Sequence, residues 1–395
     1  MAASIKLAII EPEYHPEVLR SLVLVALAVE EVEVTVFTSQ SLWNRAFKNP
    51  SREVTTFLAA HSKEVFPLLQ EKKALLEEAD VVWFNTLATQ YKAFIKLGLK
   101  NPRLVLRVHN AASAFQTWRH FLWPRTLYTL FKTVSHLLRI ELWASAIFYR
   151  RRALEKFDYF VFPTDSIARS AMDELEVPEA QILQPSLPLV ARERSLTGTR
   201  RRKHPPDQNT IAIPGSFNLK RRDYQSVYQS LKELPPQEVT LHLHFLGPVQ
   251  GNPAERLRQE MQSLDRKDLK LYFYQTFVPE ETFQKVIEQA SFLLLPLHQE
   301  VRYRIFRERY GATKVSGSVN DVIRFGKPAL IPHFYPIPQG LEALFDNFQG
   351  PQELAVKLDK WLKKPPKLSS GGLEAYDVGQ QASLLKQLLR KVMEA

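Results

Sequence analysis

The chain has no cysteine, which excludes a disulfide framework and any thiolate metal site and is compatible with a reducing compartment. Glycine is scarce, at 13 of 395 residues, so each glycine-bearing loop stands out. The opening "MAASIKLAIIEPEY" lacks the basic and apolar blocks of a signal peptide. The uncharged apolar run that follows, Ser21 to Val29, falls far short of the roughly 18 residues that a membrane span needs. A cytoplasmic protein is expected, soluble or peripheral on the inner face of the membrane. P-loop, GxGxxG, HExxH and GxSxG patterns are also missing, which argues against NTPase, dehydrogenase, zinc protease and serine hydrolase chemistry.

Charge is the first positive signal. Lysine and arginine outnumber the acids by 53 to 42, a formal charge of +11 that favours an anionic partner such as nucleotide phosphate, nucleic acid or an acidic lipid surface. No RNA- or DNA-binding motif accompanies it, so nucleic acid is not expected as a partner. At 395 residues the chain exceeds the size at which one hydrophobic core keeps growing, and two domains are expected.

Apolar runs rich in valine, isoleucine and aromatics recur through the first half: "KLAII" (6–10), "EVTVFTS" (33–39), "DVVWFNT" (80–86), "RLVLRVHN" (103–110) and "DYFVFPT" (158–164). Continuous runs of this kind suit strands covered on both faces of a parallel sheet. After the polar, basic, proline-bearing stretch 185–210 a second series follows, "TIAIPGS", "VTLHLHFLGP", "KLYFYQTF", "SFLLLPL" and "PALIP", separated by helical patterns. The clearest helix is 279–290, with Phe283, Val286, Ile287 and Ala290 at i, i+3, i+4 and i+7. The alternation predicts an α/β fold of two doubly wound, Rossmann-like domains. Their expected limits are 1–190 and 210–368, joined by a basic linker at 191–209. In the remaining segment, 369–395, Leu384, Leu385, Leu388, Leu389 and Val392 share one helical face, which must dock on something.

In such sheets ligands bind beyond the carboxyl ends of the strands, so strand-to-helix loops are where chemistry is sought. "KVSGSVNDVIRFGKP" places Ser316, Gly317 and Ser318 ahead of a short helix. Ser318 and Asp321 form a capping-box pattern there, and Gly326 is the left-handed stop. Bare N–H groups at that helix start attract phosphate, or the residues simply turn and cap. "PGSFNLKRRDY" offers Gly215 and Ser216 for close backbone approach and Lys220, Arg221 and Arg222 as diphosphate donors, or a solvated charge run. His109 and Asn110 end a strand, where the histidine either meets a proton or sugar hydroxyl or is satisfied by local backbone. His15, among Glu11, Glu13 and Glu17, is either a base with orienting carboxylates or part of a solvated turn. His242 and His244 share a strand face with no third ligand near in sequence, so a packed pair is expected rather than a metal site.

The stretch 115–157 interleaves Trp118, Trp123, Trp143 and several phenylalanines with Arg119, Arg125, Arg150, Arg151, Arg152 and further cations, opposed only by Glu141 and Glu155. That mixture suits an anionic lipid interface, or equally a core with a solvated rim.

With these loops placed, the chain resembles GT-B nucleotide-sugar glycosyltransferases, closest in layout to the retaining family 4 group, over most of its length and best from Ile211 to about Glu342. The resemblance implies a nucleoside-diphosphate sugar, such as a UDP-sugar, as donor substrate, with no cofactor and no metal. It implies a carbohydrate or lipid-linked acceptor and a last helix that crosses back to the first domain. By the same resemblance Lys220, Arg221 or Arg222 contacts the donor diphosphate, Phe277 and Val278 lie where the backbone reads the base, and His109 lies near the transferred sugar. Of the family's paired glutamates, the ribose-binding one falls at Asp321 and the sugar-binding one at Thr313, beside Lys314, whose cation suits a carboxylated sugar or phosphate.

The chemistry expected is hexosyl transfer to an acceptor hydroxyl with positive charge developing on the sugar and negative charge on the diphosphate. An inverting course needs a side-chain base, for which His15 and His109 are the candidates. The rival readings are a non-catalytic membrane- or polysaccharide-binding module and a sugar-nucleotide epimerase of the same fold.

Overall fold

The computed structural model describes residues 4–47, 54–115, 127–136, 146–193, 207–303, 305–366 and 372–394. The first half builds β1 (Ile5–Glu11), β2 (Val32–Ser39), β3 (Thr55–Ala59), β4 (Val81–Phe84), β5 (Arg103–Arg107), β6 (Tyr159–Val161) and β7 (Ile182–Leu183). The second builds β8 (Asp207–Pro214), β9 (Leu241–Pro248), β10 (Leu269–Tyr274), β11 (Ala290–Leu294), an antiparallel hairpin of β12 (Glu300–Tyr303) and β13 (Phe306–Arg309), then β14 (Ala329–Pro332) and β15 (Phe345–Phe348).

Both large sheets are parallel and Rossmann-like, in the orders β3-β2-β1-β4-β5-β6-β7 and β10-β9-β8-β11-β14-β15. The strand order reverses between β1 and β4 in one and between β8 and β11 in the other, the crevices where doubly wound sheets hold ligands. The strands are apolar on both sides because both sides are covered. Leu7 and Ile9 of β1 enter one core cluster and Ala8 and Ile10 the other. Ala212 and Ile213 of β8 divide in the same way.

The tail helix Val378–Glu394 docks as the apolar face requires. Leu385, Leu388, Leu389 and Val392 are fully buried in the first half's core, against the helix Pro16–Leu27. Each such side chain contributes roughly 1.5–3 kcal/mol of transfer free energy. The helix thereby ties the end of the chain to its start.

Four differences from the sequence reading have physical reasons. β3 and β7 are the two edge strands and too short for a periodic signal, five residues and two, and β15 ("FDNF") carries two polar residues. Ala290, expected to finish a helix, opens β11, because the helix Glu280–Gln289 ends against the sheet. The hairpin β12–β13 carries no strand pattern in the sequence because charged residues alternate through it, Glu308 even on the buried side beside Val301 and Phe306. The capping box does not form: the helix Gly317–Phe325 starts two residues earlier than a Ser318 cap would set it, at N-cap Ser316, with no side-chain cap, and Gly326 closes it at φ 59° as expected. Most of the basic linker expected at 191–209 lies outside the described residues. Among the described residues no helix is long and apolar enough to cross a membrane.

Candidate active site

At the β1/β4 crevice a polar cluster sits on the strand ends. Glu11 is fully buried, its carboxylate accepting the backbone N–H of Tyr14 (3.1 Å), the Asn85 amide (2.6 Å) and the Thr86 hydroxyl (2.9 Å). Burial pushes its carboxyl up to about 7. Arg107, also buried, lies over the Trp83 ring and donates to Asn85 Oδ1 at 3.3 Å. Burial lowers its guanidinium to about 9, against the attraction of Glu11. Glu11, considered only as a carboxylate beside His15, instead holds Asn85 and Thr86, and Arg107 was not singled out from the sequence. The available signal was an acid ending one apolar strand and a cation ending another.

His15 and His109 come together as sequence alone could not show. Their rings stack at 4.6 Å between centroids and 6° between planes. His109 Nε2 is 2.8 Å from the backbone carbonyl oxygen of Asn85, which can only accept, so Nε2 carries the proton and Nδ1 is an acceptor with no hydrogen bond among the described residues. Burial, then the neighbouring His15 and Arg107, holds this imidazole well below its usual value, so it is neutral. A neutral ring with a bare nitrogen orients a hydroxyl better than it keeps a proton. His15 adopts a left-handed backbone (φ 66°), uncommon for a residue other than glycine, with Glu17 at 3.7 Å from Nδ1. Neither Glu11 nor Glu13 is hydrogen-bonded to it among the described residues: Glu11 is held by Tyr14, Asn85 and Thr86, and Glu13 accepts from Thr89 at 2.5 Å and Gln90 at 3.2 Å.

This cluster gives the fold a pH dependence. Glu11 has its proton affinity raised from the usual 4.5 to about 7 in the folded chain. Its contribution to stability is therefore fully present below 4.5 and lost as pH rises through about 7. Asp321 has the same sign, being raised from 3.8 to about 7. A shift of Glu11's size is worth roughly 3 kcal/mol. Thermal melts across this range should show Glu11→Gln losing less stability with rising pH than the unaltered chain, and parallel curves would refute the assignment.

On the opposite side, at the β8/β11 crevice, Arg222 is the central group. It is 9% exposed, and its Nη2 donates to Ser318 Oγ at 2.7 Å while that hydroxyl donates to the Pro214 carbonyl at 3.0 Å. Its Nη1 is buried with no hydrogen-bond partner among the described residues. Gly215 holds φ 101°, and a Cβ there would stand 2.2 Å from Arg222 Nη2. Lys220 and Arg221 of the same basic run are exposed. Ser318 thus points down to the strand loop instead of capping, and the N–H groups of Gly317 and Ser318 open the helix without a side-chain cap. Half-buried Asp321 makes no hydrogen bond to protein among the described residues and is pushed up by burial against the pull of Arg324 and Arg222.

The loop after β13 closes the two sides together. Thr313 is fully buried, its hydroxyl donating to Glu308 Oε2 at 2.6 Å and accepting the Arg309 N–H at 2.8 Å, so the side chain expected beside a sugar is engaged inside the protein. Glu308, buried and raised by that burial, accepts the Ser113 N–H of the first half at 2.8 Å through Oε1. The Ala111 N–H donates to the Thr313 carbonyl at 2.8 Å. Lys314 donates to Asn110 Oδ1 and lies 5.5 Å over the Tyr303 ring, with burial lowering its ammonium to about 8. A pocket lined in part by Thr86, Tyr91, His109, Asn110, Ser113 and Tyr303 opens beside it.

Other candidates fall elsewhere. Phe277 is 81% exposed on the loop after β10, and the Val278 side chain is core. His242 and His244 bond the hydroxyls of Tyr272 (2.8 Å) and Tyr274 (3.3 Å), and among the described residues no three His, Asp or Glu groups could hold a metal. Trp118, Arg119, Trp123, Arg125 and Trp143 lie outside the described residues. Arg150, expected at a lipid surface, is instead 4% exposed with its guanidinium over the Tyr91 ring, while Arg151 and Arg152 are exposed.

The sequence matches no family model and no curated protein. Solved structures do match over nearly the whole chain. A glycosyltransferase from Rickettsia africae superposes with a TM-score of 0.60 at 10% identity, covering 99% of both chains. Anabaena Alr3699/HepE, solved with UDP and glucose, gives 0.58 at 12% identity over 98% of this chain and 100% of that one. Sucrose-phosphate synthase from Thermosynechococcus elongatus gives 0.58 at 14% identity over 99% of both. At these identities the likeness speaks for architecture: two facing Rossmann-like sheets with a returning C-terminal helix, the GT-B fold of nucleotide-sugar glycosyltransferases.

Proposed function

We propose that the chain is a glycosyltransferase that moves a sugar from a nucleoside-diphosphate donor of the UDP-sugar type to an acceptor hydroxyl, in the cleft between residues 1–190 and 210–368. The acceptor is carbohydrate or lipid-linked, met at a membrane surface. The observation that carries the reading is Arg222: a buried guanidinium whose Nη1 has no hydrogen-bond partner among the described residues, beside a glycine loop and an uncapped helix start. Buried donors of this kind match the charge that develops on a departing diphosphate.

Around it, Gly215, Ser216 and the Ser316–Ser318 amides approach the diphosphate, with Lys220 and Arg221 supplying outer charge. Asp321, short of hydrogen-bond partners, takes the ribose hydroxyls, and the loop at Phe277 and Val278 takes the base. Lys314 lies nearest the donor sugar, and Thr313 and Glu308 hold that loop in place. His109 accepts a sugar hydroxyl at Nδ1, and His15 receives the acceptor's proton where the course is inverting.

The test is incubation with a panel of nucleoside-diphosphate sugars. Slow release of nucleoside diphosphate from at least one donor is expected, accelerated by a suitable acceptor. Silence on every donor, combined with no calorimetric binding of any nucleoside diphosphate, would sink the reading.

A further inference from the structure

The helix Leu127–His136 reverses the usual arrangement of a surface helix, which turns its apolar stripe to the core. Leu127, Leu130, Phe131 and Val134 fall at i, i+3, i+4 and i+7 and are 86%, 45%, 73% and 42% exposed. Among its described side chains the one that faces inward is polar: Thr133, 3% exposed, whose hydroxyl accepts from Arg302 at 3.4 Å. Single exposed apolar residues are ordinary, but four aligned on one face of one helix mark a contact surface. It lies next to the cleft, since Arg302 adjoins Tyr303, which lines the pocket holding His109 and Asn110.

We infer that this stripe seats on an anionic lipid bilayer and brings the cleft mouth to the membrane surface. Charge selects the occupant. Between Phe115 and Phe157 the sequence has eight lysines and arginines against two glutamates. Of these cations Arg151, Arg152 and Lys156 are exposed. An apolar helix face within a chain segment this rich in cations suits an anionic interface. A second copy of the chain would bring the same positive charge against itself, which disfavours self-association. The inference deepens the acceptor side of the proposed function and rests on that reading for its purpose, although docking itself needs no donor.

Flotation of the full chain tests it, with vesicles of phosphatidylcholine alone and with roughly one-third phosphatidylglycerol. The chain is expected to float with the anionic vesicles at low salt and to stay behind with the neutral ones. Leu127→Glu with Phe131→Glu, at exposed positions and with an unchanged thermal melt, is expected to cut the floated fraction at least about tenfold. Arg151→Glu with Arg152→Glu is expected to weaken flotation and flatten its salt dependence. A wild-type chain that stays behind from anionic vesicles at low salt overturns the inference. So does a double glutamate variant that floats undiminished, or a sedimenting wild-type dimer that the variant dissolves. Donor hydrolysis measured without vesicles separates the two readings: flotation without hydrolysis removes the transfer chemistry alone, and hydrolysis without flotation removes the membrane surface alone.

Discussion

Arg222→Ala is expected to weaken nucleoside-diphosphate binding by about thirty-fold or more, while Lys220→Ala or Arg221→Ala costs only a few-fold. The difference follows from burial. Removing a desolvated charge from an anion site costs roughly 2–5 kcal/mol, and each 1.4 kcal/mol is about tenfold in affinity. Exposed cations act through water and contribute roughly 0–1 kcal/mol each. Arg222 is 9% exposed with Nη1 bare, whereas its two neighbours are exposed. Arg222→Lys should recover little, because an ammonium cannot hold Ser318 Oγ with one N–H and offer another in the same plane. Titration calorimetry with UDP measures all four variants, beside thermal melts that establish folding. Equal affinities for the Arg222→Ala variant and the unaltered chain would remove Arg222 from the diphosphate site.

That contrast also marks how far sequence reached. The two βα series and the docked tail were legible because they rest on periodicity, which a sequence carries directly. "KRR" was legible as a donor run but not as one inward and two outward cations, since only the turn from Asn218 to Asp223 decides which side chain goes under Ser318. The stacking of His15 on His109 joins loops 94 positions apart in sequence and needed the β1-β4-β5 order to bring them together. Thr313 is the instructive case. Counted along the chain it stands where a sugar-binding glutamate was expected, yet its hydroxyl is bonded to a carboxylate, that of Glu308, in a hairpin whose charged alternation concealed it. The carboxylate closes the halves through Ser113 instead of facing open cleft.

Gly247→Ala is expected to damage stability and nucleotide binding together. An added Cβ would lie 2.6 Å from the Gly215 carbonyl carbon, 2.7 Å from its oxygen and 2.7 Å from the Ser216 nitrogen. All three are backbone atoms, so none can swing aside as a side-chain tip would. The β8 loop must move, and it carries Gly215 at φ 101°, packed against Arg222. Overpacking of this kind costs roughly 1–3 kcal/mol, and a domain of this size loses about 2–4 °C in Tm per kcal/mol. Affinity for UDP should fall at least about tenfold as Arg222 is displaced, a loss of roughly 1.4 kcal/mol. Gly317→Ala is the matched control, because nothing lies within 4 Å of its Cβ and its residue begins a helix. There alanine should leave the melt unchanged or raise it slightly, by the roughly 0.5–1 kcal/mol that separates the two residues within helices. Its methyl nevertheless stands at the uncapped helix start, where the diphosphate is proposed to sit, so affinity should fall without stability. If both variants lose affinity only in proportion to stability, the glycines serve packing and the phosphate site lies elsewhere.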